Sequence, residues 1–242
     1  MDVFDCIKKR RAIAYYKDTP VPDDVLEKIL DAGRWAPSAV NIQPVEFVVV
    51  KEKESREKIR KLVIEAWEVE QGFDGTDAYG LEDSMPFWKE RYNAPAMVIV
   101  IADGEKRETT VYSSTAYYSM ASDAACAAIM NIMLAAHAMG LGSLWLTFPD
   151  PIKLKYLFRI PKTMGVAGIV NLGYPVEWPK EGEIELNIPN MSIPDITPRR
   201  PLADMVHYEK FDEDKWQEYR TMVLYGPVIG KDRKLKSLSA NP

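Results

Sequence analysis

From Ala124 to Phe148 no residue carries a formal charge. A run of that length has few destinations: it crosses a bilayer, or it fills the centre of a large core or interface. This run is rich in Ala, Met and Gly, and contains Asn131, His137 and the breaker "GLG" at 140–142. Set in a chain whose other segments suit water, it reads as a helix of about 20 residues followed by a strand, not as a membrane span. Ser122 and Asp123 are placed to cap that helix. A helix apolar on every side must be covered on every side. A chain of 242 residues, 47% hydrophobic and 28% charged, can bury the core that this requires.

The remaining pattern supplies the cover. Residues 2–11 predict a short helix with Val3, Phe4 and Ile7 on one face, and 25–35 an amphipathic helix after the turn "DTPVPDD". "APSAVNIQP" (36–44) reads as a loop, and "VEFVVVK" (45–51) as a strand continuous enough to lie centrally in a sheet. A charged helix over 54–71 leads into a surface excursion at 72–86. Further strands are expected at 96–102, 142–148 and 166–175, with a short helix at 151–160. After Pro175 the chain turns Pro-rich and polar, with a helix expected near 212–222. The whole reads as one α+β domain, residues 1–209, with a C-terminal extension at 210–242. That extension cannot bury Trp216, Tyr219, Met222 and Leu224 by itself, and the apolar helix also wants a second surface. Both point to a homodimer with a large shared interface.

Charge and chemistry narrow the function. With net charge −5 the chain has no general attraction for nucleic acid or anionic membranes. Two cysteines without CxxC spacing and two histidines make no convincing metal site, and the thiols read as reduced and cytoplasmic. The segment before the first basic residues has no signal-peptide pattern. No GxGxxG, GxxxxGK[ST] or GxSxG occurs, so neither a dinucleotide fingerprint, a P-loop nor a nucleophile elbow is present. Two cation pairs stand out against the acidic background: Arg10–Arg11 in "KKRRAIAYY" and Arg199–Arg200 in "TPRRPL". Arg forks suit a phosphate; the simpler reading is a pair of surface clusters, one of them ending a helix where cations suit the dipole.

The order of segments resolves the choice. "IKKRRAIAYYKDTPVPDDVLEKILDAGRWAPSAVNIQPVEFVVVK" resembles the N-terminal signature of the nitroreductase-like family of FMN-dependent oxidoreductases. "APAMVIVIA", "AAHAMGLGSLWLTF", "NLGYP" and "PRRPLADMVHYE" follow in the family's order. The resemblance implies a mixed central β-sheet flanked by helices, an intertwined homodimer with an extended C-terminal arm, and FMN sites built from both chains. It implies that Arg10, Arg11, Arg199 and Arg200 meet the FMN phosphate region. Ser38, Ala39 and Asn41 would approach the flavin ring from the other subunit, and Leu146, Thr147 and Phe148 would lie at flavin N5. Ala12 and Ala14 fall on cofactor-contacting positions but depart from the family: Ala12 replaces a phosphate-binding Ser, and Ala14 a cation beside flavin N1 and O2. Val45 stands where Trp is usual.

The implied activity is hydride transfer from NADH or NADPH through flavin N5 to a small conjugated acceptor such as a nitroaromatic or a quinone. No catalytic side chain and no metal is assigned, because the flavin carries the chemistry. Trp67, Phe73, Tyr79, Trp88 and Tyr92, in or near the excursion, would either stack on a substrate or pack on the core. Alternatives are a reductive dehalogenase similar to iodotyrosine deiodinase, a more remote flavin-fragmenting benzimidazole synthase, and a non-enzymatic FMN-binding member, the last supported only by Ala12 and Ala14.

Overall fold

The structure is a computed structural model that describes residues 1–74, 93–104, 117–147, 151–179, 202–214 and 216–217. Chain contacts separate two compact units, Met1–Asn187 and Ile188–Pro242.

The first unit is a sheet covered on both faces by helices. Strands β1 (Val45–Val50), β2 (Ala96–Ala102), β3 (Gly142–Leu146) and β4 (Gly165–Gly173) lie in the order β1-β2-β4-β3. Every neighbouring pair of these strands is antiparallel. Parallel pairing enters at the β3 edge, where Ala12 bridges Ser143 and the Ile13 N–H donates to the Ser143 carbonyl at 3.0 Å. Among the described residues the expected mixed sheet is therefore an antiparallel one, with this single parallel bridge at its edge.

Side chains alternate across a strand, so each strand serves two cores. Ala96, Val98, Val100 and Ala102 of β2 face one core, and Met97, Ile99 and Ile101 face the other. Helices α2 (Asp23–Arg34) and α4 (Tyr117–Ala138) cover the first with Leu26, Ile29, Ile129 and Ile132. Helices α3 (Lys53–Asp74) and α5 (Pro151–Leu157) cover the second with Ile59, Val63 and Leu154. This double burial explains the unbroken apolar run of β2, whose seven residues are all buried. The run over 45–50 has the same cause but not the expected place. Val45 and Phe47 pack against one core and Val48 and Val50 belong to the other, yet among the described residues β1 pairs only with β2 and so lies at an edge.

The apolar helix is α4, and it is long enough and apolar enough to cross a membrane by composition. Here it is a core helix. Ala125, Ala128, Ile129, Ile132 and Ala136 are fully buried, and the Asn131 amide donates to the Ala32 carbonyl of α2 at 3.1 Å. It begins at Tyr117, so Ser122 and Asp123 sit inside it, exposed on its outer side, instead of capping it. It ends as the sequence suggests. Gly140 takes φ +80°, a left-handed conformation that costs glycine nothing, and the Leu141 N–H closes on the Ala136 carbonyl at 2.8 Å. The chain then enters β3.

Helix α1 (Val3–Lys9) starts on Asp2, whose carboxylate accepts from the Phe4 N–H at 2.9 Å, and ends in Lys8 and Lys9. Cys6, on its inner side, donates its thiol to the Leu134 carbonyl of α4 at 3.3 Å. Burial pushes both the Cys6 and the Cys126 thiol up from the usual value, so neither is an activated thiolate.

In the second unit, α6 (Leu202–Met205) precedes a small aromatic cluster. His207 stacks on Phe211 at 4.4 Å between centroids, and Phe211 lies 6.3 Å from Trp216.

Candidate functional site

The residues expected around a flavin fall into two groups in the folded chain. The first lies along the β3 edge. Helix α1 stops at Arg10, and residues 10–14 run out beside β3, locked by the Ala12–Ser143 bridge. The fit is tight: a Cβ on Gly142 would stand 2.7 Å from Cβ of Ile13, so only glycine admits this approach. Leu146, half-buried, ends the same strand, and Thr147 follows it, exposed.

The two arginines at this edge do different things. Arg11 donates from Nη1 to the carbonyls of Lys8 at 2.6 Å and Arg10 at 3.0 Å. That is the helix-ending role the sequence offered as the simpler reading. Arg10 is half-buried against the same edge. Ala14 is 2% exposed, so a cation at that position would stand in packed interior and not on a surface. Two buried polar side chains beside this edge have unmatched atoms: Ser143 Oγ, and both ring nitrogens of His137 at the end of α4. Sequence reading gave neither a role in the site. The signal for His137 was there, a lone histidine in the charge-free run, but nothing in one dimension tied it to Arg10.

The second group is the loop before β1. Ser38, Ala39 and Asn41 form a 3-10 turn, Ala39–Asn41, with Ser38 Oγ accepting from the Gln43 N–H at 3.0 Å. Three residues here have left-handed backbone: Val40 (φ 43°), Asn41 (φ 58°) and Gln43 (φ 50°). For Asn this is tolerable; for a β-branched Val it is strained, and strain of this kind gathers where a loop must present its backbone. Val40 is 72% exposed, so burial of its side chain does not repay the strain. A cleft of about 520 Å³ opens beside the loop, lined by Ser38, Gln43, Glu46, Asp31 and Phe47.

These groups do not meet within one chain. The register places Leu146 level with Val48 in the middle of β1, since Leu146 opposes Ile169, Ile169 opposes Ile99 and Ile99 opposes Val48. The two groups lie on opposite edges of the sheet, at least three strand spacings or about 14 Å apart. Phe148, Arg199 and Arg200 lie outside the described residues, as do the side chains of Trp67 and Phe73 and residues Tyr79, Trp88 and Tyr92. A separate groove of about 1240 Å³ between α3 and α5 is rimmed by Lys58, Lys61, Lys153, Lys155, Arg159 and Lys162, and contains no expected site residue.

A four-stranded antiparallel sheet between helical layers, with an arginine-bearing extended segment welded to one edge, defines an α+β fold of the kind that flavin oxidoreductases use. The match to known proteins makes this specific. The nitroreductase family profile covers residues 7–174, and the chain belongs to the nitroreductase family. That family is enzymatic, and its members are oxidoreductases. A protein of Methanothermobacter thermautotrophicus that carries the assignment NADH dehydrogenase/NAD(P)H nitroreductase is 32% identical over 74% of this chain and 80% of its own. Among solved structures, a nitroreductase from Desulfovibrio desulfuricans in complex with FMN superposes with TM-score 0.62, covering 88% of this chain and 99% of its own at 24% identity. The NADPH:FMN oxidoreductase of Vibrio harveyi complexed with NAD+ gives TM-score 0.64, with 92% and 85% covered at 20% identity.

Proposed function

We propose that this protein is an FMN-dependent oxidoreductase, active as a homodimer, that passes reducing equivalents from NADH or NADPH to a small conjugated acceptor such as a nitroaromatic or a quinone. The observation that carries the reading is the split site. One chain holds both halves of the expected flavin surroundings and keeps them on opposite edges of its sheet, at least about 14 Å apart; a second copy can bring its loop to the first copy's β3 edge. Exposed apolar surface suits such a partner. Val3 (57% exposed), Phe4 (69%) and Ile7 (49%) form the outer face of α1, and Met130 and Leu134 leave α4 half-covered.

The residues present fit a phosphorylated flavin at one end. Arg10 and Arg11 bring positive charge to an edge that also holds buried polar atoms, and that combination favours an anion. At the other end the fit is neutral. Leu146 and Thr147 offer backbone at the exposed strand terminus, and Ala14 contributes no charge. When bound, the flavin accepts a hydride equivalent and hands it on. The protein's part is to hold the phosphate through Arg10, to orient the ring along the end of β3, and to shield it with the Ser38–Asn41 loop of the second copy. With no cation at position 14, reduction of the ring receives less electrostatic help than a nearby positive charge would give.

The test is spectroscopic. The purified protein, or the protein reconstituted with FMN, is yellow and bleaches on anaerobic addition of NADH or NADPH. A protein that takes up no FMN overturns the reading, and one that binds FMN but is reduced by neither nucleotide is a binding protein or uses another reductant. Arg10→Ala weakens FMN binding tenfold or more in a fluorescence titration, because a charged hydrogen bond contributes about 1.5–3 kcal/mol.

A further inference from the structure

Strand β4 carries Gly168 in its interior, where a glycine weakens a strand and marks a bulge or a close approach. Here it marks both. Against β2 the register steps from Gly168 opposite Val100 to Val166 opposite Ile101, so Ala167 is an extra residue with no partner on β2. Gly168 itself has φ +152°, a backbone conformation that residues with a Cβ rarely adopt. A Cβ built there would collide with Nε1 of Trp145, and would stand 2.7 Å from the Leu146 carbonyl oxygen and 2.8 Å from Cδ1 of Trp145.

The indole of Trp145 occupies the space that the absent side chain leaves. Trp145 opposes Val170 on β4, and Gly168 is its diagonal neighbour on the same face. From that position the indole N–H donates to the carbonyl of Ala167, the bulged residue, at 3.3 Å. The ring is 38% exposed, so it covers the bulge and does not fill a core. The bulge also lies where β3 stops. The β3–β4 ladder ends at Leu146 opposite Ile169, one residue short of Gly168. Bulges bend the strand that carries them, end pairing and re-aim side chains. The chain that leaves the sheet at this point is Leu146–Thr147, and the Leu146 side chain is packed on the opposite face, against the core under α3 and α5.

We propose that Trp145 and Gly168 are positioning residues for the flavin reaction. The indole, seated on Gly168 and tied to the Ala167 carbonyl, fixes the direction in which the backbone of Leu146 and Thr147 leaves the sheet, and so sets the surface against which the flavin ring lies. This rests on the flavin reading above and adds to it the side chains that hold that surface still. A strand end without such support frays. Misplacing reacting groups by about 1 Å can cost on the order of a hundredfold in rate.

Two variants of the full-length protein test the proposal. Trp145→Phe keeps an aromatic ring and removes the N–H; Gly168→Ala drives a carbon into the indole and towards the Leu146 carbonyl. Without FMN, amide nitrogen relaxation is expected to give order parameters of about 0.85 at Leu146 and Thr147 in the wild type, falling towards about 0.6 in each variant. With FMN bound, rapid mixing with NADH or NADPH follows bleaching of the flavin. FMN affinity is expected to stay within about threefold of wild type, while the bound flavin is reduced roughly tenfold or more slowly. A side chain that only held the sheet together would lower the unfolding temperature and leave the reduction rate of bound flavin alone. Order parameters equal to wild type in both variants, or bound flavin reduced at the wild-type rate, overturns the proposal. If Gly168→Ala fails to fold, Trp145→Phe decides, because it alters a partly exposed ring. A wild-type protein that binds no FMN, or binds it and is reduced by neither nucleotide, removes the flavin reading and this proposal together. FMN reduced equally fast in wild type and variants removes only this one.

Discussion

The two edges of the sheet carry the two halves of the candidate site, and they are built in opposite ways. At the β3 edge the chain is welded down: Ile13 is fully buried, Ala14 nearly so, and Gly142 is cut back to let them in. Polar atoms there are buried and unmatched. At the β1 edge the loop over Ser38–Gln43 is largely open to solvent, and its tension is in the backbone, in three consecutive or near-consecutive left-handed residues. One edge is closely packed around buried polar atoms; the other is an open loop with a strained backbone. The difference suits the proposed site shared between two copies, in which each chain would offer both a receiver and a cover.

The strongest way to break this comparison is to separate the halves genetically. Arg10→Glu reverses the charge in the socket, and Asn41→Pro cannot adopt the observed φ of 58° and so disrupts the flap. Each homodimer is expected to be inactive. Co-expressed and randomly reassorted, the two variants should recover about a quarter of the wild-type sites, because half the dimers are mixed and each mixed dimer has one intact site. No recovery in chains shown to co-assemble would mean that each site is built from a single chain.

A smaller effect tests the weld. Gly142→Val drives a methine carbon into Ile13 and is expected to cost about 1–3 kcal/mol in urea unfolding, with loss of FMN affinity as residues 10–14 are displaced. Retained affinity would show that the position of this segment is not set by Gly142. The smallest effect concerns the flap. Val40→Asn removes a β-branched side chain from a left-handed position where little is buried, and should stabilise the protein by about 1 kcal/mol, with reductase activity unchanged or slightly lower. A destabilised Val40→Asn would mean that Val40 is held by contacts that outweigh its strain.

Much of the fold was legible in one dimension because its signals are local. The helix breaker at 140–142, the apolar runs of β1 and β2 and the proline-led start of α2 each announce themselves within a few residues. Two readings went astray for a shared reason. The apolar run at 45–50 looked central, yet an edge strand packed on both faces has the same composition as a central one. Ser122 and Asp123 looked like a cap, yet capping residues on the exposed side of a helix already held by its buried face cost little. In both cases tertiary burial overrode a local preference. The site was half legible. Resemblance brought out Arg10, Ala14, Ser38 and Asn41, while His137 and Ser143 emerged only when the atoms they fail to bond became visible.

By itself, then, the sequence determined the layered α+β architecture, the apolar central helix, the charged N-terminal segment and the family to which the chain belongs, because periodicity, turn chemistry and motif order are written along the backbone. Only the tertiary structure decided which residues share an edge. It set Arg11 on the end of α1 and Ala12 beside Ser143, and it put the Ser38–Asn41 loop at the opposite edge of the sheet from Leu146. The physical reason is that strand order and register place residues more than a hundred positions apart side by side, and no local preference encodes that placement.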